Sequence, residues 1–161
     1  MLKTYGASAA QDGVRKIGKK KWEICFGFFK DNDSDTTGYN YRQRFDHCPT
    51  AEEAKAVILE QLTQHFAEAM TRGFLWNGLR VEYTEERKGD FTGLLTRERV
   101  PITMNLGPDK NGNPQFFNFT TLEQLQQVSD GFIDHRIAIC SAEWQAKAAL
   151  AESDAFNQVT P

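Results

Sequence analysis

The chain has 161 residues, 40% of them hydrophobic, 12% aromatic and 25% charged, with a formal net charge of −3. That length suits one domain or one domain with an appended segment, and the hydrophobic fraction is enough for a buried core. The slight acidity, with an isoelectric point near 5.6, argues against nucleic acid or an anionic membrane as a partner. No apolar run reaches the roughly 20 residues that span a bilayer, and the N-terminus lacks a signal-peptide apolar region, so folding in a cytoplasm is expected.

Residues 1–20 read as an N-terminal arm of small and polar residues. They end in a basic run (Arg15, Lys16, Lys19, Lys20, Lys21) that fits a solvated strand entry better than a phosphate site. Residues 21–72 form the next block, a β-hairpin followed by a helix. WEICFGFF (22–29) is an aromatic strand with imperfect alternation, and GYNYRQRF (38–45) is a regular one, with Tyr39, Tyr41, Gln43 and Phe45 on one face. Between them Asp31, Asp33 and Asp35 have the first spacings of a calcium loop. Thr36 stands where the turn glycine belongs and Arg42 where the bidentate glutamate belongs, so an acidic hairpin loop is the better reading.

Thr50 and Glu53 make a capping box for a helix over about 50–72. Its apolar stripe is Ala54, Val57, Ile58, Leu62, Phe66 and Ala69, interrupted by Gln61 and His65, and Gly73 stops it. FLWNGLRVEY (74–83) then forms a tight hairpin, because Asn77-Gly78 suits a turn with positive φ at both central positions. Thr84, Glu85 and Glu86 open a short helix weakened by Gly89 and Gly93. Strands follow at VPITMNLG (100–107) and QFFNF (115–119), joined by a polar turn. Thr120 and Glu123 form a second capping box for the longest helix, about 121–151, whose apolar positions include Leu125, Val128, Phe132, Ile137, Ile139, Cys140 and Trp144. Gly131 is a point where that helix is expected to weaken or bend. The tail, 153–161, is expected to fray. The fold class is α+β, small antiparallel hairpins packed with two substantial helices.

Convergent chemistry is not found. Cys25, Cys48 and Cys140 are too few and too widely spaced for a disulfide framework. Cys25, His47 and Cys48 suggest a zinc set only weakly, with no CxxC, no HxxxH and no fourth ligand, so no metal or other cofactor is expected. No serine lies in a GxSxG context, and the paired glutamates sit in first helical turns where the macrodipole accounts for them. The reading is a non-enzyme. The aromatics exceed what small elements need for packing, so some of them are expected on a surface that another chain covers.

The order of features from GFLWNGLRVEYTEERKGDFTGLL, through NGNPQFFNFTTLEQLQQV, to DHRIAICSAEWQAKAAL resembles an uncharacterised domain that recurs in bacteriophage tail, tail-fibre and fibre-assembly proteins. Phe74, Trp76, Asn77, Gly78, Phe119, Thr120, Leu122, Leu125, Glu143, Trp144 and Lys147 carry the match over about 73–150. VPITMNLGPDKNGNPQ is longer than that pattern expects, and the first 72 residues fall outside it. The resemblance implies no catalytic residue. It implies a virion protein, made in the host bacterial cytoplasm, that contacts other virion proteins and forms a homo-oligomer. The expected role is a tail, baseplate or fibre-attachment component, the alternative a fibre-assembly chaperone or small adaptor. Phe74, Trp76, Tyr83, Phe116, Phe132 and Trp144 are the expected interface residues.

Overall fold

The computed structural model describes residues 1–31, 35–157 and 159–160. The chain is α+β and divides into two units: residues 1–63 with 145–161, and residues 64–144.

The first unit holds a five-stranded sheet in the order β1-β4-β3-β2-β9. Its strands are β1 (Leu2–Ala7), β2 (Gly13–Gly18), β3 (Lys21–Phe29), β4 (Gly38–Phe45) and β9 (Val159–Thr160). Residues 1–20, expected as an arm, therefore supply two strands. Leu2–Tyr5 pair antiparallel with Tyr39–Arg42, and Gly13–Lys16 with Trp22–Cys25. Their exposed outer faces tolerate lysine, glycine and alanine, which hides both; β1 also pairs far along the chain, whereas β2 forms a tight hairpin with β3. The tail is likewise captured: Phe156 is buried and meets Phe26 at 6.4 Å, and Val159 pairs parallel with Val14.

The imperfect alternation of β3 has a local cause. Gly27 takes φ +70°, and the register against β4 shifts between Phe26 and Phe29. Tyr39 and Tyr41 are both buried on one face of β4, their rings 5.4 Å apart. Asp31 accepts from the Tyr5 hydroxyl at 2.9 Å; the rest of the calcium-like spacing depends on Asp33, which lies outside the described residues.

Two long helices were expected, and α1 (Ala51–Arg72) and α3 (Leu122–Glu152) match them closely. The Thr50–Glu53 box is made in both directions, Thr50 N–H to Glu53 Oε2 at 2.8 Å and Glu53 N–H to Thr50 Oγ1 at 3.2 Å. The second box lies one residue later than expected. Gln124 N–H donates to Thr121 Oγ1, and Gln124 Oε1 accepts from the Thr120 and Thr121 N–H groups.

The second unit contains the hairpin β5 (Phe74–Trp76) and β6 (Leu79–Val81), the helix α2 (Glu85–Thr96), and the hairpin β7 (Ile102–Pro108) and β8 (Pro114–Phe119). Asn77 and Gly78 have φ 48° and 77°, the left-handed pair that a two-residue turn needs. Thr84 caps α2 by accepting from Arg87 N–H at 3.0 Å. Val81, Phe91, Leu106, Phe119, Leu125, Val128 and Phe132 form a core with no exposed surface. Each large side chain among them contributes about 1.5–3 kcal/mol by leaving water. Gly131 meets a packing requirement: a Cβ there would lie 2.7 Å from Phe74 Cζ and closer still to Cε2.

Candidate interaction surface

The six expected interface residues fall into two groups. Trp76, Tyr83 and Phe132 are core residues of the second unit, and their expected surface role is corrected accordingly. Trp76 stacks on Phe119 at 5.4 Å, and its indole N–H donates to Gln127 Oε1 at 3.1 Å. Tyr83 meets Phe132 at 5.7 Å and donates its hydroxyl to Glu85 Oε1; burial, then that hydrogen bond, pushes its pKa up. Phe74 is half-buried and packs edge-on against Phe132 at 5.3 Å. Phe116 and Trp144 do lie outside, 63% and 74% exposed.

Strand register explains this division. Phe74 faces Val81 and Trp76 faces Leu79 on the inner side of their hairpin, leaving Leu75 and Arg80 paired on the outer side. In the other hairpin Phe117 and Phe119 turn inward, while Phe116 pairs with Asn105 outside. Leu75 is 66% exposed and was missed, since a single apolar residue between two others in a strand looks like part of the same patch.

On α3 two stripes run side by side. Leu125, Val128 and Phe132 face the core, whereas Ile133, Ile137 and Trp144 are exposed and Cys140 is half-buried between them. At 100° per residue the second stripe lies roughly 130° round the helix from the first. Arg136 flanks it and reaches Glu85 at 3.8 Å. His135 is packed, with Nε2 3.0 Å from the Met70 carbonyl oxygen and the ring 6.0 Å from Phe74.

Charged groups are gathered in two other places. In the first unit, Glu23 is buried and sits opposite Arg15 and Arg44 in register. Its Oε1 accepts from Arg15 Nε at 3.0 Å and is approached by Arg15 Nη2 as well, with Arg42 Nη1 at 3.6 Å and Arg44 Nε at 3.7 Å from its carboxylate. Cys25 shares that face, and burial raises its thiol pKa against the opposing pull of Arg42 and Arg15. A buried thiol held protonated is a poor nucleophile and a poor metal ligand. Cys48 and His47 are exposed, and His47 is engaged by Asp46 and Glu53 at 3.0 and 3.4 Å. Among the described residues, no group of three or more His, Cys, Asp or Glu side chains is placed to hold a metal ion.

In the second unit a groove of about 640 Å³ is lined by residues including Glu68, Arg72, Arg80, Glu82 and Asp109. Two of its carboxylates already have structural work. Glu82 binds Arg87 at 2.6 Å, and Asp109 accepts from the Asn113 and Asn111 N–H groups, which hold its carboxyl below the usual range. Among the described residues, no helix is long and apolar enough to cross a membrane.

The outcome is an α+β protein whose unsatisfied outer features are large apolar side chains on regular elements. By sequence the chain belongs to a family described as a domain of unknown function, DUF4376, whose model matches residues 53–160. The match begins within α1, upstream of the expected start near residue 73, and extends to β9. No curated protein and no solved structure matches the chain.

Proposed function

We propose that the chain is a non-enzymatic structural protein of a bacteriophage particle, a tail, baseplate or fibre-attachment component that works by protein–protein contact within an oligomer. The observation that supports this most directly is the set of large apolar and aromatic side chains more than half exposed on helix and strand: Leu2, Tyr5, Leu75, Phe116, Ile137 and Trp144. Large apolar groups held outward on rigid elements lower the free energy of association with another protein surface, and they offer little to a polar substrate. The phage setting draws its support from the ordered resemblance over about 73–150, in which Trp144 and the Asn77-Gly78 hairpin take part.

Mass spectrometry of purified particles, beside the lysate they came from, tests the reading. Peptides of this chain should co-purify with the particles in fixed ratio to other tail proteins. Abundance in the lysate with absence from the particles overturns the component reading in favour of a fibre-assembly chaperone.

A further inference from the structure

We infer that the outer stripe of α3 is a self-association seam, on which a second copy of this chain packs antiparallel. The inference deepens the assembly reading above by naming one partner.

Ile133, Ile137, Cys140 and Trp144 recur at intervals of four, three and four residues, the spacing that keeps an apolar seam along one side of a helix. Ile133, Ile137 and Trp144 are 49%, 62% and 74% exposed, and Cys140 is partly so. The stripe is separate from the core-facing one, and the whole of it lies within the unit formed by residues 64–144.

The charges beside the stripe select the occupant and its direction. Arg136 and Glu143 are seven residues apart, so they lie on the same flank; Asp134 and Ser141 share the other flank by the same interval. When two copies pack antiparallel, Ile133 stands opposite the second copy's Trp144, and Ile137 opposite the second copy's Cys140. Each layer then pairs a larger side chain with a smaller one. That alignment brings Arg136 beside the second copy's Glu143, and by two-fold symmetry the pair forms twice. Parallel packing instead sets Trp144 against Trp144 and leaves Arg136 facing Ser141, with no ion pair across the seam. Arg136 also approaches Glu85 of its own chain, on the flank from which it would reach the second copy.

The seam from residue 133 to residue 144 is about 17 Å long. So short a seam belongs with small interfaces, so the dimer is expected to be weak.

The test uses the full chain in sedimentation velocity over a dilution series reaching about 100 µM, where a weak dimer is populated. Wild type should sediment increasingly as a dimer, and Ile137→Glu as a monomer with an unchanged far-ultraviolet circular dichroism spectrum. Arg136→Glu should weaken the dimer about tenfold, and the charge swap R136E/E143R should restore most of it, a recovery that loss of the Glu85 contact alone would not give. Direction is read by disulfide trapping in a Cys48→Ser, Cys140→Ser background. Ile133→Cys mixed with Trp144→Cys should cross-link, and Ile133→Cys alone should not. A monomeric wild type at the top concentration, self-cross-linking of Ile133→Cys, or a charge swap without recovery overturns the inference. None of these results changes whether the chain is found in purified particles, which is the separate test of the virion reading.

Discussion

Replacing glycine with alanine inside a helix ordinarily stabilises it by about 0.8–1 kcal/mol, because alanine restricts the unfolded chain and exposes less backbone. Gly89 and Gly93 in α2 have nothing within 4 Å of the place a Cβ would occupy. Gly89→Ala and Gly93→Ala should each raise stability by about that amount. Gly131 in α3 should respond in the opposite direction. A Cβ there meets three atoms of the Phe74 ring at 3.0 Å or less, and that ring is held edge-on against Phe132, which has no exposed surface. Forcing the ring aside costs about 1–3 kcal/mol, so after the propensity gain Gly131→Ala should destabilise by roughly 0–2 kcal/mol. Urea melts followed by circular dichroism separate the two signs. Adding Phe74→Leu to Gly131→Ala should recover the propensity gain relative to Phe74→Leu alone, since the obstructing ring is gone. If Gly131→Ala stabilises as much as Gly89→Ala, the close approach of Phe74 to α3 is wrong.

Three further outcomes are expected. Thr121→Ala should cost about 1 kcal/mol in the same melts, while Glu123→Ala should change stability by less than about 0.5 kcal/mol, because the cap runs between Thr121 and Gln124. Glu23→Ala should cost about 2–3 kcal/mol, less than the 3–5 kcal/mol of a fully buried pair because Arg15 and Arg44 reach solvent. Arg15→Met in the Glu23→Ala background should return part of that loss. The His47 pKa is raised above 6.5 because its ring N–H groups donate to the Asp46 carboxylate and then to that of Glu53. Its folded-state contribution is therefore complete below that value and is lost as pH rises through the higher folded value. An NMR titration should place the His47 midpoint above 6.5, and Asp46→Asn should lower it; a midpoint at or below the ordinary value would contradict the geometry.

Where side chains dictate their own local geometry, the sequence was legible. The Asn77-Gly78 turn, the Thr50–Glu53 box and the helix limits all rest on contacts between residues within a few positions of one another. Adjacent alternatives blurred the second cap: Thr120-Thr121 and Glu123-Gln124 offer the same spacing twice, and only the backbone trajectory chooses between them. The first two strands were hidden for a different reason. β1 pairs with residues up to 40 positions away, Leu2 with Arg42 for example, and no local pattern records that; β2 pairs with the adjacent β3, but its run of lysine, arginine and glycine reads as a polar arm. The interface residues show a third kind of difficulty. Sequence ranks Trp76, Tyr83, Phe132 and Trp144 alike as large and aromatic, but strand parity and helical angle put the first three inside and the last outside. On α3 this merged two stripes into one, although the interval from Phe132 to Ile133 is itself the sign of a second face.

The division of the first unit between residues 1–63 and 145–161 sets an order of events on the ribosome. Residues 64–144 are contiguous, so they have all their own core side chains once they have emerged and can fold while synthesis continues. The first unit is completed only later: the β2 edge of its sheet waits for a strand at 159–160, and Lys55 waits for the Ala151 carbonyl that it meets at 2.9 Å. Throughout that interval β2 presents an unpaired row of backbone groups, open to the same edge of a neighbouring nascent chain.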